Sequence, residues 1–374
     1  MITSATKYSS SARHQRGVTL TELMVALVIG LILIGGALVV FLESRETAQV
    51  NQTVARLQEN ASFAAEEIAR SVELSGYWGQ NNSTSRITDR TVRVSGSLTD
   101  SSSAMHGASS LTNPGSDCSN NTFPSYSDLH RPLDGLDASP TSQNALANAE
   151  TGYTWGTCAP NYLQGTDVLI TRFVEPTETA TGSLAANTVY VRSDPVSGAL
   201  FVGSTEPTGF SASAANYRLR SYVYYVSDND TTDNIPPNLV RVDVTSFDPA
   251  NAAAGLTSVQ EVIMPGVEDF QVQYGIDTNG DGSANQYVNA SGATAAEGVQ
   301  AAEWNNVVAV RFWLLLRPED NAGFEPGFDT ANPIELNPLN FDLPQVTGFD
   351  PNDDGFRRIM ITRTVRVRNH DEET

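Results

Sequence analysis

Hydrophobic and polar positions divide this chain into five regimes. The first 22 residues are mostly polar. Leu23 to Leu42 (LMVALVIGLILIGGALVVFL) then runs without a charged residue. A helix of about 20 apolar residues crosses a ~30 Å hydrocarbon core, so this run predicts a transmembrane segment. Beyond it, Val50, Val54, Leu57, Ala61, Ala64, Ile68 and Val72 recur at spacings of three and four, the stripe of an amphipathic helix. Glu43, Arg45, Glu46, Arg56, Glu59, Glu66, Glu67 and Arg70 fill the other face, and no proline interrupts. One helix from about Thr19 to Leu74 is predicted, roughly 80 Å long at 1.5 Å per residue. Ser75-Gly76 ends it. Gly35-Gly36 is a weak point inside it, because each glycine costs about 1 kcal/mol relative to alanine. Close packing of helices at small residues is the plain alternative.

From Asn81 to Asn161 the chain turns polar and rich in Ser, Thr, Asn, Gly and Pro, with Thr91-Val92-Arg93-Val94 as an island of periodicity. A long loop region is expected there, of the kind that carries function or motion. Strand patterns follow at residues 167–173, 188–192, 217–226, 239–244, 267–276, 307–316 and 359–367. Turn residues separate them, as in an antiparallel meander. In the last run Arg363 interrupts the apolar face of Ile359, Ile361, Val365 and Val367, which predicts an edge position or an acidic partner. The expected architecture is α+β: one long helix, half of it against an antiparallel β-sheet domain.

Composition narrows the function. The chain has 374 residues and a net charge of −21. Lys7 is its single lysine; setting aside Lys7, Arg13 and Arg16 leaves 19 arginines against 43 acids, a net charge of −24. Such an acidic exterior repels phosphate backbones, so no direct nucleic-acid partner is expected. Cys118 and Cys158 both lie beyond the membrane run. The basic leader places that side outside the cytoplasm, where the two are expected to form a disulfide. Closing a loop of about 40 residues contributes around 3–4 kcal/mol in the chain-entropy view; two free thiols is the alternative.

The most specific local chemistry is Asp277-Thr278-Asn279-Gly280-Asp281-Gly282, which fits the first half of a calcium loop, D-x-[DN]-x-[DN]-G. An EF-hand needs Glu at the twelfth place, and Val288 stands there. A calcium site with Asp277, Asn279 and Asp281 would take its last ligands elsewhere. Asp350-Pro351-Asn352-Asp353-Asp354-Gly355 repeats the pattern, with Asp350, Asn352 and Asp354 as the weaker set. Both stretches also read as acidic β-turns, since Asn-Gly and Asp-Gly make hairpins unaided. Calcium is the one cation expected, and no cofactor is required. Catalysis has little footing: His14, His106, His130 and His370 sit in polar or terminal contexts, and no zinc, P-loop or nucleophile-elbow motif occurs. No enzyme is expected.

Three readings meet at Arg16-Gly17-Val18-Thr19-Leu20-Thr21-Glu22. A secretory signal has a shorter apolar core and a small-residue cleavage site; neither is present. A plain anchor fits the length but leaves Glu22, an acid at the lipid edge, without a role. The third is closest: RG|VTLTELMVALVIGLILIGG resembles the type III signal of prepilins, with a short basic leader ending in Gly and Glu at the fifth mature position. The resemblance implies a leader of residues 1–17, cleavage between Gly17 and Val18, and N-methylation of Val18. Val18 departs from the Phe usual there. Glu22 is then expected to dock onto the Val18 amine of a neighbouring subunit, with snorkelling to the lipid headgroups as the plain alternative. Residues 18–75 form the long helix, with 23–42 in the membrane, and residues 76–374 the globular domain.

Within pilin-like proteins, scattered islands resemble the PilW family of minor pilins. They are Ser75-Gly76-Tyr77-Trp78-Gly79, Gly165-Thr166-Asp167-Val168-Leu169, residues 267–277, residues 304–311, and the ending Arg357-Arg358 with residues 364–369. The resemblance implies a type IV pilus subunit of a tip complex that primes assembly and supports motility or adhesion. Its implied partners are other minor pilins, the major pilin, a tip adhesin and the prepilin peptidase. Before assembly the chain would sit in the inner membrane of a Gram-negative bacterium with its domain in the periplasm, and afterwards at the pilus tip. J-type pseudopilins of type II secretion share these features in a shorter chain and are the alternative; a membrane-anchored enzyme is a distant one.

Overall fold

The computed structural model describes residues 19–81, 83–88, 91–94, 97–100, 129, 131–137, 161–163, 165–186, 188–228, 236–247, 256–290, 298–299, 304–318 and 358–369. The chain divides into two units, residues 1–53 and residues 54–374. Helix α1, Leu20–Leu74, is the 55-residue element expected from the apolar pattern. Its C-terminal end is closed by the Ser75 and Tyr77 amides, which donate to Val72 and Leu74 carbonyls. Gly76 takes φ +81° there, and a Cβ on it would lie 2.4 Å from the Asn369 carbonyl oxygen. Only glycine fits both demands.

In the first unit, the described large side chains of α1 touch little of the chain. Those from Leu23 to Leu42 are 53–69 % exposed. The helix runs unbroken through Gly35 and Gly36, where a Cβ would meet nothing within 4 Å.

Among the described residues the second unit holds fourteen strands. Among the first are β1 (Ile87–Thr88), β2 (Thr91–Val94), β3 (Ser97–Asp100) and β4 (Leu133–Leu136). The central group is β5 (Val168–Thr179), β6 (Val189–Ser193), β7 (Gly198–Val202) and β8 (Ala215–Ser227). Then come β9 (Asn238–Phe247), β10 (Leu256–Pro265), β11 (Val267–Ile276) and β12 (Gln286–Val288). The last two are β13 (Val307–Leu316) and β14 (Ile359–Arg366). They make an eight-stranded sheet, a four-stranded sheet ordered β12-β11-β13-β14, and the β2-β3 pair.

The larger sheet is not the simple meander that the sequence suggests. Strand β8 is its hub. One edge of β8 pairs with β5; the other is shared, with β6 along Ala215–Arg218 and β9 along Tyr222–Ser227. A thirteen-residue strand is long enough to seat two partners end to end. Strand β1 joins β7 in parallel; every other described pairing of named strands is antiparallel.

Alternation along β8 explains the two cores. Leu219, Val223 and Tyr225 enter one cluster with Trp78, Ile87, Val168, Ile170 and Val174. Tyr224 and Val226, on the opposite face, join another with Leu169, Leu239 and the stripe Leu57, Ala61, Ala64, Ile68 and Val72 of α1. The four-stranded sheet contributes Phe270, Val272, Tyr274, Phe312 and Leu314 to the same cluster. Small alanines on the stripe let the helix backbone approach the strands closely. Ion pairs line the margin: Glu66 with Arg363 at 2.6 Å, Glu67 with Arg241, and Glu73 with Arg368 at 3.1 Å. Arg363 therefore meets both expectations placed on it, since β14 is an edge strand and its guanidinium pairs with an acid.

Candidate functional site

The N-terminal turn of α1 is built by Thr19 and Glu22. The Glu22 carboxylate accepts the Thr19 N–H and the Thr19 hydroxyl, both at 2.9 Å, and the Glu22 N–H reaches the Thr19 Oγ1 at 3.3 Å. This reciprocal arrangement is a capping box, in which a Thr at the cap and a Glu three residues on satisfy each other's amides. An acid here also faces the positive end of the helix dipole. Glu22 is thus held by its own chain at the start of an uncharged run. The helix is long and apolar enough to cross a membrane by length and composition, and its most apolar stretch is not buried among the described residues. Apolar surface of this extent finds a partner outside the chain, in lipid or in other apolar helices. Gly17 and Val18, the expected cleavage pair, lie outside the described residues.

The loop Asp277–Gly282 joins β11 to β12 as a tight turn. Asp277 Oδ1 accepts the amides of Asn279 and Gly280 at 3.0 and 2.7 Å, and its Oδ2 accepts that of Gly282 at 2.6 Å. Desolvation pushes the Asp277 pKa up, and the amides of Gly282, Asn279 and Gly280 outweigh it, leaving it below the ordinary value. Asn279 Nδ2 donates to Asp281 Oδ2 at 3.1 Å. Gly280 and Gly282 both take φ +76°, as the turn demands. The three expected ligands, Asp277, Asn279 and Asp281, are therefore brought together. Among the described residues no three His, Cys, Asp or Glu side chains converge as a metal group. Asp350, Asn352, Asp354, Cys118 and Cys158 lie outside the described residues.

Two buried acids went unnoticed in the sequence. Glu268 pairs with Arg317 at 2.9 Å and with Arg358 at 2.6 Å, and all three are buried. These residues stand at the start of β11, just past β13 and just before β14. Asp269, next to it, is 6 % exposed and accepts a hydrogen bond from Gln271 Nε2 at 2.8 Å. Burial is the main cause that pushes its pKa up to about 7; the Gln271 amide and the Phe270 N–H oppose this, and the Glu268 charge adds to it. Val-Glu-Asp-Phe at a strand start carries no signal that both acids turn inward. Alternation places one on each face, and here both faces are covered.

Comparison with known proteins adds two regions of likeness. Residues 223–369 match the family described as Type IV Pilus-assembly protein W. Residues 12–38 match the prokaryotic N-terminal methylation motif. Among solved structures, a type IV-like pilin from Thermus thermophilus aligns over 84 % of this chain and 98 % of its own, with 14 % identity and a TM-score of 0.33. No curated protein matches the chain at a significant level.

Proposed function

We propose that this chain is a minor pilin of the PilW kind, a subunit of the complex that primes pilus assembly and stays at the filament tip; its match to the PilW model over residues 223–369 and to the N-terminal methylation motif over residues 12–38 supports this reading. The observation that carries this reading is the start of α1. The helix begins at a carboxylate that Thr19 satisfies locally, and its uncharged run, residues 23–42, is exposed among the described residues. In a membrane the apolar run rests in lipid. In a filament the same run packs on other apolar helices, and Glu22 exchanges its Thr19 contacts for the charged Val18 amine of a neighbour. Opposite charges attract more strongly as the local dielectric falls, and an acid left alone there is costly. Residue identity at the N-terminus thus stores the chain in one environment and selects for the other.

The N-methylation motif implies processing by a prepilin peptidase and association with other pilus components. Other minor pilins, the major pilin and a tip adhesin are the partners of this proposal. The inner membrane is the place of storage, with the residues past α1 on the periplasmic side, and motility or adhesion is the cellular output. A strain lacking the chain tests it. Surface pili and twitching motility should fall together while protein secretion continues, and both should return on complementation. Normal pili with failed secretion would instead identify a pseudopilus subunit.

A further inference from the structure

Asn279-Gly280 is the single Asn-Gly pair in the sequence. It stands in the exposed turn between β11 and β12. Glycine has no Cβ, so its amide nitrogen approaches the preceding side chain with the least hindrance. We propose that Asn279 is a site of spontaneous deamidation, and that Asp277 is a positioning residue that restrains the reaction in the folded chain.

The reaction needs only water. The Gly280 amide loses its proton to solvent and its nitrogen attacks Asn279 Cγ. A new C–N bond closes a succinimide ring, the Cγ–Nδ2 bond breaks, and the nitrogen leaves with a solvent proton as ammonia. Water then opens the ring at either carbonyl, giving Asp at 279 or its isoaspartyl isomer. No electrons are transferred.

The turn opposes the first step in two ways. The Gly280 N–H is committed to Asp277 Oδ1 at 2.7 Å, and a carboxylate beside an amide disfavours the amide anion on electrostatic grounds. The Asn279 side chain is also tied. Its Nδ2 donates to Asp281 Oδ2 at 3.1 Å, and its Oδ1 accepts the Asp281 N–H at 3.2 Å. Ring closure must give up these contacts. A Cβ on Gly280 would have open space around it, so glycine is needed there for its φ of +76° and not for room.

The product changes the loop. A carboxylate at 279 cannot donate to Asp281 Oδ2, and two like charges then share that contact. The turn is coupled to the edge of the four-stranded sheet, because Arg366 Nη2 on β14 donates to the Gly282 carbonyl at 2.9 Å. Deamidation therefore acts as a slow, irreversible loosening of the β12–β14 end of that sheet.

The test uses the full chain in detergent micelles, incubated at mildly alkaline pH and followed by peptide mapping and isoaspartyl labelling. Folding of each variant is checked by circular dichroism. Conversion at 279 should be fastest in urea-unfolded chain and slowest in the folded wild type. Asp277→Ala should convert several-fold faster than the wild type. Asp277→Asn, which keeps an acceptor oxygen without the charge, should fall between, and it serves as the deciding arm if the alanine variant does not fold. Asn279→Gln should show no deamidation mass gain at 279, the readout that separates this site from isoaspartate formed at Asp281-Gly282 by the same ring closure. The restraint is refuted if the folded variants convert no faster than the wild type, and the site itself is refuted if the unfolded chain does not convert at 279.

Discussion

Asp269 is the side chain on which pH should act most strongly. Its carboxyl has exchanged hydration for one amide of Gln271 and the Phe270 N–H, an incomplete replacement for an ion. Glu268 on the same strand and Tyr162 from the segment before β5 interact electrostatically with it. With a folded pKa of about 7 against an ordinary 3.8, the folded chain keeps a proton that the unfolded chain has lost. The stability this contributes is complete below pH ~4 and is lost as pH rises through about 7, at most about 4 kcal/mol. Asp269→Asn should therefore unfold at higher urea than the wild type at pH 8 and show a flatter profile from pH 5 to 8. A wild-type profile already flat over that window would contradict the assignment. The calcium proposal also lives at this scale. The D-x-N-x-D-G spacing was legible; in the turn the Asn279 and Asp281 side chains meet, while Asp277 accepts backbone amides. On the calcium reading, millimolar calcium should raise the melting temperature by binding the folded state alone. Asp281→Ala should abolish that rise, and a melting temperature indifferent to calcium would leave the loop a turn.

Strand ends set the next scale. Glu268 gathers the end of β13 and the beginning of β14 onto the start of β11 through Arg317 and Arg358. Removing one partner of a buried ionic group leaves the others without compensation, which costs about 3–5 kcal/mol. Glu268→Gln should lose about that much in urea unfolding, whereas Glu66→Ala, at a pair with an exposed glutamate, should lose less than 1 kcal/mol. Equal losses would mean that burial does not separate the two. Elements with strong local patterns were readable: α1, β11 and β13 occur where the sequence places them. Strand β5 runs on to Thr179, past Pro176 and across a register shift between Val174 and Glu178, a place where proline is tolerated. Strands β7 and β10 were missed. Gly198-Ala199-Leu200-Phe201-Val202 is buried at every position and so lacks alternation. Along β10 an edge position leaves Val259 and Val262 exposed, and its pairing to β9 shifts register twice. Within the polar stretch, β4 contributes Leu133 and Leu136 to the two cores, too few residues for a periodic signal.

For the molecule as a whole, one helix serves two kinds of surroundings. Residues 54–74 are held by the apolar cluster of the sheets, and the apolar run before them is exposed among the described residues. That division was legible because charge disappears from the sequence after Glu22 and returns at Glu43. The capping box was less legible, because an acid at a lipid edge has a second role open to it. In the structure it is also the local partner of Thr19. A carboxylate satisfied this way costs little to keep in the membrane and is available for exchange. The most direct measurement is Glu22→Ala expressed at native level in a strain that lacks the wild-type chain. The variant should still be cut after Gly17, by N-terminal sequencing, and still fractionate with the inner membrane. It should be depleted from sheared filaments, and surface pili should fall with it. Normal piliation, with the variant present in the sheared fraction, would contradict a docking role for Glu22.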